Sequence, residues 1–281
     1  MQIQMRLVTT HETAVILRRA IENMLEGSEK IMILCNGSSP CVEFQIVDAL
    51  WICSVSLKIQ KDGFQIYQVK KSEHYVLQSD LRPLHYFLKQ NADANALSFE
   101  CEGEQNDQWT IKALSQHRRV LKTFIATVSE DNTPYISMSS KMFQNWNSFS
   151  MDPQEFSNIT LDLAVGGGLL DLHLHANNMV TFKSQFQTGE IAFHTENKDV
   201  STKTQISRKR KRNNSFFHVH RTTHRRPRWI HGRYIIKFLK LICGVTPLCE
   251  KLSLYLRNKH PLILKLRFSD CIHMIVSIVP E

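Results

Sequence analysis

Short stretches of alternating apolar and polar residues make up most of this chain, and two helical patterns interrupt them in each half. Residues 2–8 alternate as a half-buried strand does, with every second side chain apolar. The residues that follow carry apolar side chains at helical spacing. They predict a helix that begins near His11 and ends at about Leu25, before Gly27.

The rest of the first half predicts more strands and one further helix. Ser79 and Asp80 are residues that favour a helix N-terminus, and they precede a helical pattern over 81–90. Short strands are predicted at 30–35, 41–47, 50–60, 64–69, 74–78, 96–101, 108–114 and 118–127.

The second half repeats this order. Asp152 followed by Pro153 predicts the start of a third helix, which ends near Leu163. A fourth helix is predicted over 232–243. Strands or strand-like pieces are predicted at 146–151, 169–174, 178–185, 189–195, 215–220, 227–231, 251–257, 261–268 and 272–279.

A duplicated order of this size indicates two similar domains. We expect an N-terminal domain over 1–127, a polar, proline-broken linker over 128–136, and a C-terminal domain over 137–281 with a basic loop at 196–214. The spacing of the helices does not fit parallel β-α-β units, so the predicted class is α+β, with antiparallel sheets and two helices on one face of each domain.

Composition is consistent with a folded protein inside the cell. The 281 residues are 42% apolar, and no apolar run approaches the roughly 18 residues that a membrane helix needs. The N-terminus lacks the layout of a signal peptide. The seven cysteines are scattered and form no C-x-x-C pair, so neither a disulfide framework nor a zinc site is expected.

The net charge of +9 belongs to one segment. Thirteen of the 35 Lys and Arg residues lie between Ser201 and Cys249, where Asp and Glu do not occur. The rest of the chain then holds 22 basic and 26 acidic residues. The mean charge therefore describes a local basic segment and not the body of the protein.

Motifs for catalysis are missing from the sequence. Gly166, Gly167 and Gly168 lack the Gly-Lys-Ser/Thr that completes a phosphate-binding loop, and neither G-x-S-x-G nor H-E-x-x-H occurs. His173 and His175 are spaced to share one face of a strand, but no carboxylate motif accompanies them. We expect no enzyme activity, no cofactor and no metal.

Several short segments, in collinear order over about 270 residues, resemble the PCNA family of DNA sliding clamps. The N-terminal part of the likeness consists of Arg6-Leu7-Val8, Ile16-Leu17-Arg18-Arg19-Ala20, Gln45-Ile46-Val47-Asp48, Ile52 to Leu57, and Asp62-Gly63-Phe64-Gln65-Ile66-Tyr67. The C-terminal part consists of Glu155-Phe156, Phe238-Leu239, Thr246-Pro247-Leu248, Pro261-Leu262 and Ile278-Val279-Pro280.

The resemblance implies a ring of three subunits whose helices line a hole around duplex DNA. DNA carries one charge per about 1.7 Å of its axis, so cations in the hole attract it without reading sequence. The positions that match are Arg18, Arg19, Lys89, Lys237 and Lys240. An ordinary solvated helix face, with Arg18 paired to Glu22, is the alternative for the first pair. The third helix departs from the family pattern, because Asn158 and Leu161 stand where basic residues are expected.

The resemblance also implies an apolar pocket that receives a short peptide from partner proteins. The positions that match it are Val47, Trp51, Ile52, Tyr135, Ile278, Val279 and Pro280. The implied partners are double-stranded DNA, a DNA polymerase and other clamp-binding proteins, and a clamp loader.

A basic run over 208–212 follows, consisting of Arg208, Lys209, Arg210, Lys211 and Arg212. Such a run is typical of a nuclear localisation signal or of a flexible arm on DNA phosphates. A solvated loop without a role is the third interpretation. His218, His220 and His224 extend the basic segment and resemble metal ligands only in type.

Three hypotheses for function remain open on the sequence. The first is a nuclear, homotrimeric processivity clamp for replication and repair. The second is one subunit of a heterotrimeric checkpoint clamp that responds to DNA damage. The third is a processivity subunit that holds DNA by its basic segment without closing a ring.

Overall fold

The computed structural model describes residues 3–69, 74–102, 108–127, 136, 138, 140–165, 168–175, 179–186, 189–196 and 229–281. These residues form an α+β fold of antiparallel sheets and four α-helices, as predicted. None of the described helices is long and apolar enough to cross a membrane.

The chain divides into two compact units. Unit 1 comprises Met1–Met138, Gly244–Glu250 and Lys265–Ser277, and unit 2 comprises Ser139–Cys243, Lys251–Leu264 and Ile278–Glu281. Two short segments from the C-terminal half thus count with unit 1. The domain bounds 1–127 and 137–281 stay a prediction.

Unit 1 begins with a strand and a helix, followed by four strands. These are β1 (Ile3–Thr9), α1 (His11–Met24), β2 (Lys30–Asn36), β3 (Cys41–Val47), β4 (Cys53–Gln60) and β5 (Phe64–Val69). The unit continues with β6 (His74–Asp80), α2 (Leu81–Gln90), β7 (Ala96–Glu102), β8 (Gln108–Leu114) and β9 (Val120–Thr127).

Unit 2 and the C-terminal strands follow a similar order, with four strands between the two helices among the described residues where unit 1 has five. They contain β10 (Asn147–Met151), α3 (Pro153–Ala164), β11 (Leu169–His175), β12 (Met179–Phe186), β13 (Gly189–Glu196), β14 (Trp229–Ile235) and α4 (Ile236–Cys243). The chain ends with β15 (Lys251–Leu256), β16 (Leu262–Arg267) and β17 (Ile272–Ile278).

The sheet of unit 1 that ends in β9 has the strand order β5-β1-β7-β8-β9. A second group of strands in unit 1 has the order β17-β4-β3-β2-β6. Helix α1 packs on β1, β4 and β7, and α2 packs on β2 and β9. The apolar faces of the helices are buried there, including Leu17 and Ile21 of α1 and Phe87 and Leu88 of α2.

Unit 2 contains a sheet with the order β13-β12-β11-β14, in which β13 and β14 are the edges. Helix α3 packs against α4 and against β12. Phe182 of β12 has its ring centre 6.3 Å from that of Phe156 on α3 and 6.3 Å from that of Phe149 on β10. These aromatic side chains are fully buried and form the core of the unit.

Two predicted boundaries were wrong. The strand expected over 50–60 begins at Cys53, because residues 49–52 form a turn in which Trp51 has a φ of 61°. The helix expected over 232–243 begins at Ile236, because residues up to Ile235 pair with β11. Buried Ile230 and Tyr234 follow the strand alternation in that segment.

Candidate functional site

Arg18 lies on α1 with its guanidinium half-buried against the end of α2. Its Nη1 atom donates to the carbonyl of Ala94 at 2.9 Å and, more weakly, to that of Asn91 at 3.4 Å. Burial lowers the pKa of Arg18, and the negative charge of Asp93 opposes that change. The side chain therefore binds carbonyls that follow α2, where a positive charge is favourable.

Arg19 is exposed on the next position of α1. Its Nε atom donates to the carbonyl of Gly244 at 2.9 Å, and its Nη1 atom donates to Glu22 Oε2 at 2.7 Å. The sequence suggested that Glu22 pairs with Arg18, but the ion pair that forms is between Glu22 and Arg19. Both arginines thus hold backbone carbonyls of unit 1.

A cavity of about 450 Å³ brings the arginine pair together with a third predicted cation. Its lining contains Arg18, Arg19 and the exposed Lys89, with Glu22 and His85 beside them. Apolar residues such as Val15 and Leu88 complete the lining, so the cavity combines three cations with apolar side chains. We call it the arginine cavity.

Lys237 and Lys240 are both exposed on α4 of unit 2. The Nζ atom of Lys237 is 5.9 Å from the centre of the Phe238 ring, at the outer limit of a cation–π contact. These two residues form a pair of cations on the helix α4.

Helix α3 contributes no positive charge. Its sequence lacks Lys and Arg, and Asn158 and Asp162 are exposed on it. Leu161 is also exposed, at 45%, and Val165 just after the helix is 88% exposed. The lack of basic residues on this helix, which the sequence already showed, therefore leaves the exposed surface of α3 without positive charge.

The turn between β3 and β4 holds Trp51 out of the core. The carboxylate of Asp48 accepts the backbone N–H of Leu50 at 3.1 Å and that of Cys53 at 2.5 Å. Trp51 donates its own N–H to the Asp48 carbonyl at 3.0 Å, and its side chain is 52% exposed. The result is a rigid apolar tip on unit 1.

Val47 and Trp51 line a cavity of about 650 Å³, together with Asp48, Gln78 and Arg82. Of the predicted pocket residues in unit 1, Ile52 is half-buried and does not line this cavity. In unit 2, Ile278 is buried, Val279 is 42% exposed and Pro280 is half-buried. Tyr135 and the run 208–212 lie outside the described residues.

The residues just beyond the predicted linker are attached to the sheet of unit 1 by a buried charge pair. Lys58 donates from Nζ to the Met138 carbonyl at 2.9 Å and is 3.2 Å from Glu43 Oε2. Glu43 is 4% exposed and also accepts the hydroxyl of Ser56. In the sequence, Lys58 and Glu43 are visible only as strand positions. No local signal therefore predicts that they contact the residues that follow the linker.

Four histidines of unit 2 share one face of its sheet. His173 of β11 lies directly opposite His231 of β14, and Thr181 of β12 lies opposite both His173 and His194 of β13. Among the described residues, no group of three or more His, Cys, Asp or Glu side chains is placed so that it could hold a metal ion.

Comparisons with known proteins give one kind of match. No family model matches the chain, and no curated protein matches it in sequence. Solved structures do match. The crystal structure of Proliferating Cellular Nuclear Antigen from Entamoeba histolytica superposes with a TM-score of 0.74, covers 100% of both chains and is 17% identical. The chain therefore has the PCNA-type sliding-clamp fold.

Proposed function

We propose that this protein is a DNA sliding clamp, a non-enzymatic scaffold that encircles duplex DNA and tethers replication or repair proteins to it. The observation that carries the proposal is the agreement of fold with Proliferating Cellular Nuclear Antigen over the full length of both chains. A partial likeness would be compatible with many uses of one domain, whereas the likeness here includes both units.

Ring closure is supported by the free edge of β9. This strand ends its sheet, and Val120, Leu121 and Ile125 on it are exposed at 53%, 47% and 59%. Edge strands of monomeric proteins rarely present so many apolar side chains, because an unpaired edge invites another strand. We propose that β9 of one subunit pairs with β13, an edge strand of unit 2, in the next subunit.

DNA contact in this proposal is made by cations on three of the four helices. The arginine cavity presents Arg18, Arg19 and Lys89, and α4 presents Lys237 and Lys240. Because Arg18 and Arg19 already bond to carbonyls, they would meet phosphate with their remaining N–H groups. The contact is one of charge and does not read sequence.

Partner proteins are proposed to bind an apolar pocket of Val47, Trp51, Ile52, Tyr135, Ile278, Val279 and Pro280. The exposed indole of Trp51, fixed by the Asp48 turn, supports the part of this pocket in unit 1. A DNA polymerase, other clamp-binding proteins and a clamp loader are the expected partners.

The run of Arg208 to Arg212 is proposed to direct the protein to the nucleus or to contact DNA phosphate as an arm. Deleting 208–212 separates these uses. An import signal would leave the protein in the cytoplasm after deletion, whereas a phosphate arm would leave its location unchanged and make DNA affinity less dependent on salt.

The mass of the protein in solution is the experiment that tests the proposal. A homotrimer has three times the chain mass of 32.6 kDa. Light scattering at micromolar concentration should give that mass. A stable monomer would contradict the homotrimer. If that monomer still bound DNA through the basic segment, a processivity subunit without a ring would be supported instead.

A mixed ring is the second candidate, and the surface of α3 favours it. A subunit whose third helix exposes Leu161, with exposed Val165 just after it, and carries no cation gives an uneven lining in a homotrimer. In a heterotrimeric checkpoint clamp, other subunits can supply the missing charge. Co-expression with candidate clamp subunits, followed by mass measurement, distinguishes a mixed ring from a ring of identical chains.

A further inference from the structure

We propose that a patch of unit 2 binds single-stranded nucleic acid. It consists of Trp146, His260, Arg257 and Lys259, and we call it the Trp146 patch. The two rings stack on unpaired bases, and the two cations contact the phosphates. The proposal goes beyond the proposed function, because the patch contains no helix residue and does not depend on ring closure.

The patch forms because β10 pairs with β15. Asn147, the first residue of β10, lies opposite Leu256, the last residue of β15. Trp146 immediately precedes β10, and the turn over 257–261 immediately follows β15. The segments that carry the indole and the cations are therefore neighbours in space, although they are distant in sequence.

The indole of Trp146 is anchored by a buried neighbour. Its backbone N–H donates to the Phe143 carbonyl at 3.0 Å, and its ring centre is 6.5 Å from that of Phe143. Phe143 is 4% exposed, and its ring centre lies 4.6 Å from that of Tyr255 on β15. Trp146 itself is half-buried, so it is held in place and still presents part of its ring to solvent.

His260 places a second ring beside the indole. The ring centres of Trp146 and His260 are 5.2 Å apart, and the ring planes are tilted by 53°. Because of this tilt, the rings do not cover each other face to face, and His260 is also only half-buried. Both rings can therefore stack on bases, and such stacking tolerates any sequence because every base has a π-face.

Arg257 and Lys259 are exposed on the turn that carries His260. The turn is closed by the His260 N–H, which donates to the Arg257 carbonyl at 3.1 Å. Lys259 has a φ of 64°, which residues other than glycine rarely adopt, so a charged side chain occupies a position that favours glycine. Neither 141–151 nor 251–269 contains Asp or Glu, so these segments offer phosphate no acidic neighbour.

Strand β14 continues the surface beyond the turn. The backbone N–H of His231 donates to Oδ1 of Asn258 at 3.1 Å, so β14 lies beside the turn of the patch. The His231 side chain is exposed, and its ring centre is 5.9 Å from that of His173 on β11. A strand bound at the Trp146 patch therefore has further aromatic rings next to it.

Rings beside cations favour a single strand over a duplex or a lipid surface. The bases of a duplex are stacked on one another, so protein rings reach bases only where these are unpaired. An aromatic anchor for a lipid surface inserts into the boundary between headgroups and acyl chains, whereas Trp146 and His260 are both half-buried.

Fluorescence anisotropy with two labelled probes tests the patch on the full chain. One probe is an oligo-dT of about twelve nucleotides, and the other is an abasic strand of the same length. Residues 201–228 hold ten Lys and Arg and no Asp or Glu, and a contact of charge alone binds both probes equally. We expect oligo-dT to bind at least about fivefold more tightly than the abasic strand, because only oligo-dT can stack.

Trp146→Leu should remove this preference, and Trp146→Phe should keep most of it. Tyr86→Leu is the matched control, because Tyr86 is 61% exposed on α2 and is not part of the patch. Arg257→Gln should weaken the binding of both probes and lower the salt dependence by about one phosphate contact. With oligo-rU as a third probe, a preference over the abasic strand that depends on Trp146 supports the same patch and shows whether the sugar is distinguished.

Equal binding of oligo-dT and the abasic strand by the original chain would overturn the proposal. A preference that persists in folded Trp146→Leu would do the same. If Trp146→Leu does not fold, His260→Ala decides, since full retention of the preference there contradicts a role for the second ring. Binding to phosphatidylserine vesicles that depends on Trp146, without a preference for bases, would assign the patch to a lipid surface instead.

Discussion

The side-chain amide of Gln45 bonds to both backbone groups of Ile136. Its Nε2 atom donates to the Ile136 carbonyl at 2.6 Å, and its Oε1 atom accepts the Ile136 N–H at 3.1 Å. Gln45 is 1% exposed on β3, so this two-point contact fixes the last residue of the predicted linker to the sheet of unit 1. The side chain of Gln45 thus makes the pair of hydrogen bonds to the backbone of Ile136 that a neighbouring strand would otherwise make.

Gln45→Met should release this segment without removing the strand. Methionine has a similar size but cannot bond to the backbone of Ile136, which loses two hydrogen bonds worth about 1 kcal/mol each. Hydrogen exchange at Ile136 and Met138 should accelerate about tenfold or more. The exposed Gln60→Met on β4 is the matched control. Equal protection in the two variants would show that Gln45 does not hold the segment.

Arg18 and Arg19 should differ in their effect on stability. Arg18→Gln removes a half-buried bond to the Ala94 carbonyl and should lower the free energy of unfolding by about 1–2 kcal/mol. Arg19→Gln breaks exposed contacts and should cost less than about 1 kcal/mol. Urea unfolding of both variants measures this difference. Equal losses would mean that burial does not set the contribution of Arg18.

Arg18 and Arg19 can also be used to test the proposed contact with DNA. Arg18→Glu with Arg19→Glu should reduce stimulation of a polymerase if the arginine cavity faces DNA. Because Arg18 also stabilises unit 1, the reduction counts only where the double variant remains folded. Arg19→Glu alone should therefore be measured as well, since its fold is less at risk.

Trp51→Gly should weaken partner binding without lowering stability. The left-handed conformation, with a φ of 61°, costs a tryptophan about 1–2 kcal/mol of conformational free energy, whereas glycine adopts it freely. The gain is offset by the greater freedom of glycine in the unfolded chain, so the net change should be within about 1 kcal/mol.

Arg118→Gly is the matched control for this change, because Arg118 has a φ of 58° at a turn that we do not assign to the pocket. Calorimetric titration with a clamp-binding peptide should show weaker binding for Trp51→Gly only. Unchanged binding in that variant would remove the indole from the proposed pocket.

His273 should make unit 1 less stable in mild acid. Burial, followed by the charges of Lys265 and Lys58, lowers its pKa to about 4. The unfolded chain takes up this proton near pH 6.5, so it binds more protons than the folded state between about pH 4 and 6.5. The contribution of His273 to the free energy of unfolding should therefore fall as the pH drops through this window and change no further below it.

Urea unfolding at pH 7 and pH 5 checks the dependence. His273→Gln should reduce the loss of stability between the two pH values, whereas the exposed His117→Gln should leave it as it is in the original chain. An identical loss in all three proteins would assign the acid sensitivity to other groups.

Ile125→Lys should prevent assembly while leaving the fold intact. Ile125 is 59% exposed, so a charge there costs little in the monomer but would be buried without a partner in a paired edge. If the protein forms the proposed homotrimer, light scattering should show a change from trimer to monomer with an unchanged circular dichroism spectrum. Lys122→Glu on the same strand is the control, because the Lys122 side chain bonds back to Gln90 of α2.

Local sequence signals predicted the starts of α1 and α3. Asp152 accepts the N–H groups of Gln154 and Glu155 at 2.9 Å each, and Pro153 begins α3 as expected. Thr10 likewise caps α1 through the N–H of Thr13. Such caps involve residues two or three positions apart, so the sequence contains the whole interaction.

Features that depend on distant residues were harder to predict. Arg18 and Ala94 are 76 positions apart, and nothing near Arg18 indicates a buried carbonyl as its partner. The left-handed Trp51 could not be expected from a residue type that rarely adopts that conformation. The apolar residues around Ile235 suit a helix as well as a strand, and only pairing with β11 decides between them.

The exposed apolar residues of β9 also set a condition on how the protein is produced. Where the proposed ring has not yet formed, a newly made chain presents Leu121 and Ile125 of β9 to any strand in solution, including misfolded copies of itself. Soluble yield should then rise when synthesis is slow enough for each chain to find its neighbours. An excess of unassembled chain is the state most exposed to aggregation and to proteolysis.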